Sequence, residues 1–76
     1  MKTITIRPHA ERRMRWRNIT EAEVREALGQ PKERHFYNKK HGTMNVRHRF
    51  PNMDLQILVG YEDRSDEIIV VTVIKE

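Results

Sequence analysis

Five residues able to do chemistry crowd into positions 9–17: His9, Arg12, Arg13, Trp16 and Arg17. At about 100° per helical residue, His9, Arg13 and Trp16 fall within a narrow arc, flanked by Arg12. Ala10 and Met14 lie together on the adjoining apolar stripe, with Arg17 beside them. Glu11 and Arg15 take the opposite side. One helix edge thus presents an imidazole, guanidinium groups and an indole next to the stripe that must be buried. Guanidinium forks match phosphate oxygens, and an indole offers a stacking surface to an unstacked base. Imidazole is the side chain that changes charge between pH 5 and 8, so His9 is the candidate acid or base. The competing reading is structural: Arg13 and Arg17 pair with carboxylates and Trp16 packs as core.

A second basic edge lies in the alternating run Met44–Phe50. If Met44, Val46 and Phe50 face a core, Asn45, Arg47 and Arg49 must face away, because strand side chains alternate with period two. In Glu67–Ile74, strict alternation puts Ile69, Val71 and Val73 on one face. Ile68, Val70, Thr72 and Ile74 take the other, so Thr72 is the strand's one polar side chain there. If that face also bears Arg47 and Arg49, guanidiniums and a hydroxyl share one sheet surface; β propensity alone also favours a threonine there. His48, on the apolar face, reads as a satisfied core histidine, whereas His35 and His41 lie in a strand or turn within reach of nucleic acid. The histidine spacing offers no i, i+4 pair and no histidine–carboxylate set with metal-ligand spacing, so neither metal nor cofactor is expected. Metal-free RNA cleavage needs only a base for the ribose 2′-hydroxyl, an acid for the departing 5′-oxygen and cations around the phosphate. Those residue types are all here.

The elements that must hold these residues are legible in outline. Lys2–Ile6 alternates and reads as a short edge strand. Pro8 suits the first turn of a helix, and His9–Arg17 continues it until Asn18-Ile19 breaks it. Thr20 with Glu23 forms a capping box, so Thr20–Leu28 is a second helix with Val24, Ala27 and Leu28 as its stripe; Gly29 and Pro31 close it. Strands follow at Glu33–Asn38, Met44–Phe50, Asp54–Tyr61 and Glu67–Ile74, separated by polar turns. The last is nearly all β-branched and apolar, as in a strand covered on both faces. The expectation is one α+β domain over residues 1–76, two N-terminal helices packed on one face of a three- to four-stranded antiparallel sheet.

Composition narrows the partners. The 76 residues carry 15 Lys and Arg against 11 Asp and Glu and no cysteine, which excludes disulfide and thiol chemistry. The longest apolar run, Ile68–Val71, is far short of a membrane span, and no apolar stretch after the start suggests a secretory signal. A cytoplasmic protein with an anionic partner is expected. The basic excess is local: residues 1–49 hold thirteen Lys and Arg and five Asp and Glu, and residues 50–76 hold two and six. One part of the chain builds a basic surface.

The run from His9 to Leu28 followed by Pro31 resembles the bacterial family catalogued as domain of unknown function 4258. The matching positions are His9, Ala10, Arg13, Met14, Arg17, Ile19, Thr20, Val24, Leu28 and Pro31, and the closing Ile68–Ile74 strand matches with Thr72 at its threonine. Trp16 departs from the pattern. The resemblance implies a RelE/barnase-like fold and a metal-independent endoribonuclease of toxin–antitoxin type, related to RelE- and BrnT-like toxins. It places His9, Arg13, Arg17 and Thr72 in the catalytic set and implies an acidic antitoxin protein as partner. Arg12, Trp16, Arg47 and Arg49 are expected to bind RNA, the last two on strand geometry alone. The alternative is a non-catalytic RNA-binding module. A DNA-reading helix-turn-helix is disfavoured, because Thr20–Leu28 would meet phosphates with Glu21, Glu23 and Glu26 against Arg25 alone. A homodimer is expected if the apolar last strand lies at a sheet edge.

Overall fold

The structure is a computed structural model that describes residues 2–76. Thr3–Ile6 forms strand β1, and Pro8, which has no N–H to leave unpaired, opens helix α1 at Pro8–Trp16. Asn18 ends α1 in the left-handed region, φ 57°. Its N–H reaches the carbonyl of Arg15 at 3.3 Å, and the Ile19 N–H reaches that of Met14 at 2.8 Å. This is the Schellman pattern with asparagine where glycine is usual, and it buries Ile19 beside Met14 in the core. Helix α2, Glu21–Leu28, starts from a complete capping box: Glu23 N–H to Thr20 Oγ1 at 3.2 Å, and Thr20 N–H to Glu23 Oε1 at 2.8 Å.

A 3₁₀ turn at Lys32–Arg34 leads into β2, His35–Asn38. A turn containing Gly42 at φ 66° joins it to β3, Thr43–Phe50. A second 3₁₀ turn, Pro51–Met53, precedes β4, Leu55–Asp63, and β5 runs Glu67–Lys75. The sheet order is β1-β5-β4-β3-β2, with β1 parallel to β5 and the other neighbours antiparallel. α1 packs against β5, and α2 against β3 and β4. Between helices and sheet, Ala10, Val24, Ala27, Val46, Ile57, Val59, Val70 and Val73 are fully enclosed.

The α+β class and the two N-terminal helices stand, but the sheet is five-stranded and mixed rather than three- or four-stranded and antiparallel. Alternation identifies β1 as a strand without naming its partner. That partner is β5, whose edge it covers while Ile4 and Ile6 pack on the core. β5 therefore lies inside the sheet over Glu67–Val70, and its edge on that side is free of a strand partner only beyond Val70.

Strict alternation in β5 also fails. Gly60 pairs with Thr72 and Tyr61 with Val70, so Val71 has no opposite residue and forms a β-bulge. Ile68, Val70 and Val73 consequently face the helices, and the expected continuous Ile69, Val71, Val73 face is broken. Nor is β5 covered on both faces: Ile74 is exposed and Ile69 and Val71 are half-buried. Among the described residues, no helix is long and apolar enough to cross a membrane.

Candidate functional site

The sheet face away from the helices carries a cleft of about 560 Å³. Its floor is a row across three strands. Asn45 on β3 pairs in register with Gly60 on β4, and Gly60 with Thr72 on β5. A Cβ on Gly60 would stand 2.7 Å from Thr72 Cγ2 and 3.1 Å from Asn45 Oδ1. Glycine is thus what lets the two polar side chains close over β4. Asn45 is buried and donates through Nδ2 to the Thr43 carbonyl at 3.2 Å. Leu58, Val71 and Ile74 supply apolar wall.

Two histidines border this floor. His9 comes from the first turn of α1, next to the edge of β5 beyond the end of β1. His41 comes from the β2–β3 turn, with Asn38 and Thr43 beside it. Both are exposed. Glu62 lies in the same cleft with its charge countered by Arg64 at 3.0 Å and Arg7 at 3.9 Å. Two imidazoles, a carboxylate, a hydroxyl and an amide thus share one cavity.

The bulge at Val71 decides whether Thr72 belongs here. Downstream of it, Thr72 joins the face that bears Asn45, Arg47 and Arg49, as the sheet-surface reading requires, though by a shift of register rather than by alternation.

The expected site residues divide into groups. His9 and Thr72 line the cleft. Arg12 and Arg13 on α1, and Arg17 at its C-terminal cap, stay exposed with no carboxylate within 4 Å among the described residues. Trp16 is 73% exposed rather than core, with the Arg17 guanidinium 4.8 Å from its ring centre.

Arg47 and Arg49 lie outside the cleft. Arg47 grips Glu76 with two bonds of 2.6 and 3.2 Å and lies 5.8 Å from the Phe36 ring centre. Those bonds raise the Arg47 pKa further and hold the Glu76 carboxyl below the usual carboxylate range. Arg49 approaches Asp54 at 3.5 Å.

The other two histidines serve the core. His35 Nε2 bonds the Gln30 carbonyl at 2.9 Å, so in the neutral ring that nitrogen carries the proton and Nδ1 accepts from the Tyr61 hydroxyl at 2.5 Å. Both nitrogens are spent inside the protein, which removes His35 from the expected nucleic-acid surface. His48 Nε2 meets Glu26 at 2.9 Å and its ring packs edge-on against Phe50, but Nδ1 is buried without a partner. It is a core histidine, half satisfied.

Sequence spacing alone groups neither His41 with His9 nor Asn45 with Thr72. The one signal it holds is the glycine inside an otherwise apolar strand, Gly60, which marks a close approach on its face. Among the described residues there is no cluster of three or more metal-ligating side chains.

No curated protein and no solved structure matches the chain. A family model described as Domain of unknown function (DUF4258) matches residues 6–75.

Proposed function

The chain belongs to the DUF4258 family, and on that premise we propose that it is a metal-independent endoribonuclease working on the open face of the sheet. The observation that carries this reading is the placement of His9 and His41 in one cleft with Thr72 and Asn45. One imidazole takes the 2′-hydroxyl proton. The 2′-oxygen then attacks phosphorus, the bond to the 5′-oxygen breaks, and the other imidazole protonates that leaving oxygen. The products are a 2′,3′-cyclic phosphate and a free 5′-hydroxyl. Thr72 and Asn45 hydrogen-bond the phosphate or a base edge, while Arg13 on the same helix as His9 and Arg17 at its C-terminal cap add positive charge. In this reading the protein acts in the cytoplasm as a RelE/BrnT-like toxin with a RelE/barnase-like fold. Its partner is an antitoxin whose acidic segment competes with RNA for the unpaired cations.

The test is incubation of purified protein with mixed RNA in excess EDTA. Cleavage leaving cyclic phosphate ends is expected, with His9→Ala and His41→Ala each slowing it by about 10²- to 10⁴-fold, the usual share of a general acid or base. Full activity in both variants overturns the assignment. A second reading, a non-catalytic RNA-binding module, is favoured by the exposed Trp16 and its stacked arginine. RNA that is bound tightly yet stays intact would select it.

A further inference from the structure

We propose that the Trp16 end of α1 is a stacking platform for an unpaired nucleotide, separate from the cleft and built to hold a single strand leading into it. Trp16 is the chain's one tryptophan, and a large apolar ring 73% exposed at a helix end is left without a packing role. Its immediate surroundings are cationic. The Arg17 guanidinium sits 4.8 Å from the ring centre, and Arg12 and Arg13 have no carboxylate within 4 Å among the described residues.

A base added to the indole's other face completes a guanidinium–indole–base stack, and the two further arginines meet the adjoining phosphates. A duplex keeps its bases stacked on one another and cannot offer one, so the platform selects unpaired strands. The same geometry ties it to the cleft. Trp16 follows His9 by seven residues, which returns it to within about 20° of the same helix edge and roughly 10 Å further along the axis. That interval is about three stacked nucleotides. A strand held at Trp16 therefore passes Arg13 and arrives at His9. The inference rests on the nucleic-acid reading of this protein, but not on catalysis.

Trp16 fluorescence tests it in the intact protein. The probe is a 12-nucleotide deoxy-oligonucleotide, which lacks the 2′-hydroxyl and cannot be cut by the proposed route, titrated beside the same sequence as a blunt duplex. Quenching by the single strand is expected, with several-fold weaker binding of the duplex. By fluorescence anisotropy of labelled probe, Trp16→Ala should lower single-strand affinity about ten- to hundredfold, and Trp16→Phe should recover most of it. Equal binding of duplex and single strand, binding without quenching, or unchanged affinity in Trp16→Ala each overturns the platform. Quenching without any RNA cleavage upholds it and removes the nuclease reading. Cleavage without quenching does the reverse. Quenching by an acidic peptide but not by the oligonucleotide would assign the surface to a protein partner and overturn the proposal.

Discussion

At the scale of the residue, Gly60 decides whether the cleft has a floor. Its missing Cβ lets Thr72 and Asn45 approach one another over β4. Gly60→Ala should destabilise the protein by about 1–3 kcal/mol, the usual range for overpacking, read as a lower urea midpoint. The atom in the way is Thr72 Cγ2, at 2.7 Å, so Thr72→Ser in the same chain should return part of that loss. Strict additivity of the two substitutions would show that the clash lies elsewhere. Tyr61 makes a second residue-scale case. Burial first, and Asp63 second, raise its hydroxyl above the ordinary 10.0. A folded pKa above the unfolded one contributes stability that is full below pH 10 and lost as pH rises through the folded value. Tyr61→Phe also strips His35 Nδ1 of its donor, costing about 1 kcal/mol at neutral pH. The gap between Tyr61→Phe and the parent should therefore shrink as urea unfolding is repeated from pH 8 to pH 11. A constant gap would mean that Tyr61 does not titrate against folding.

At the scale of the element, the two helices show what a sequence encodes locally. The α2 capping box is written in Thr20 and Glu23 and needs no tertiary partner, and both of its bonds form. The stop after α1 is equally local: Asn18 is a residue that tolerates left-handed backbone, and it adopts φ 57°. Because glycine tolerates that conformation still better, Asn18→Gly should leave stability unchanged or raise it by up to about 1 kcal/mol. Asn18→Ala should lower it by about 1 kcal/mol. Thermal unfolding of the two variants checks the order, and a reversed order would exclude the left-handed cap. The strands are less legible because their neighbours are distant in sequence. Alternation locates β1 but cannot show that it joins β5 in parallel. The Val71 bulge exists only through pairing with Gly60 and Tyr61, so periodicity within β5 alone puts Thr72 on its face for a reason the fold does not use. The candidate site divides the same way. His9 is readable from one helix, whereas His41 enters through a turn that only the folded sheet brings to the cleft.

At the scale of the whole molecule, folding sorts the uneven charge rather than averaging it. Acids of the last third pair with cations of the first two-thirds: Asp63 with Lys2, Glu62 with Arg7, Glu76 with Arg47, Asp54 with Arg49. Among the described residues this leaves Arg12 and Arg13 on α1, Arg17 at its C-terminal cap, Lys32, Arg34, Lys39 and Lys40 around β2, and Lys75 at the end of β5 without ion pairs. The surface available to an anion is thus narrower than the sequence balance implies, and Arg47 and Arg49 are largely spoken for. Binding of a single-stranded oligonucleotide across a salt series should separate the two sets. Removing one cation that neutralises a phosphate of a single strand flattens the plot of log affinity against log salt by about 0.7. Arg12→Gln with Arg13→Gln should weaken binding and flatten the slope by about twice that. Arg47→Gln with Arg49→Gln should barely change the slope, because those guanidiniums already face carboxylates. Their cost should appear in stability, and only up to about 1 kcal/mol for each exposed pair. It should fade in acid, since Glu76 has its carboxyl held low in the fold: the pair's contribution is full above the ordinary 4.5 and is lost as pH falls through the folded value. Equal slope changes from the two double variants would show that the anion meets the β3 arginines as well, displacing Glu76 and Asp54, and that the sorted charge pattern does not direct binding to α1.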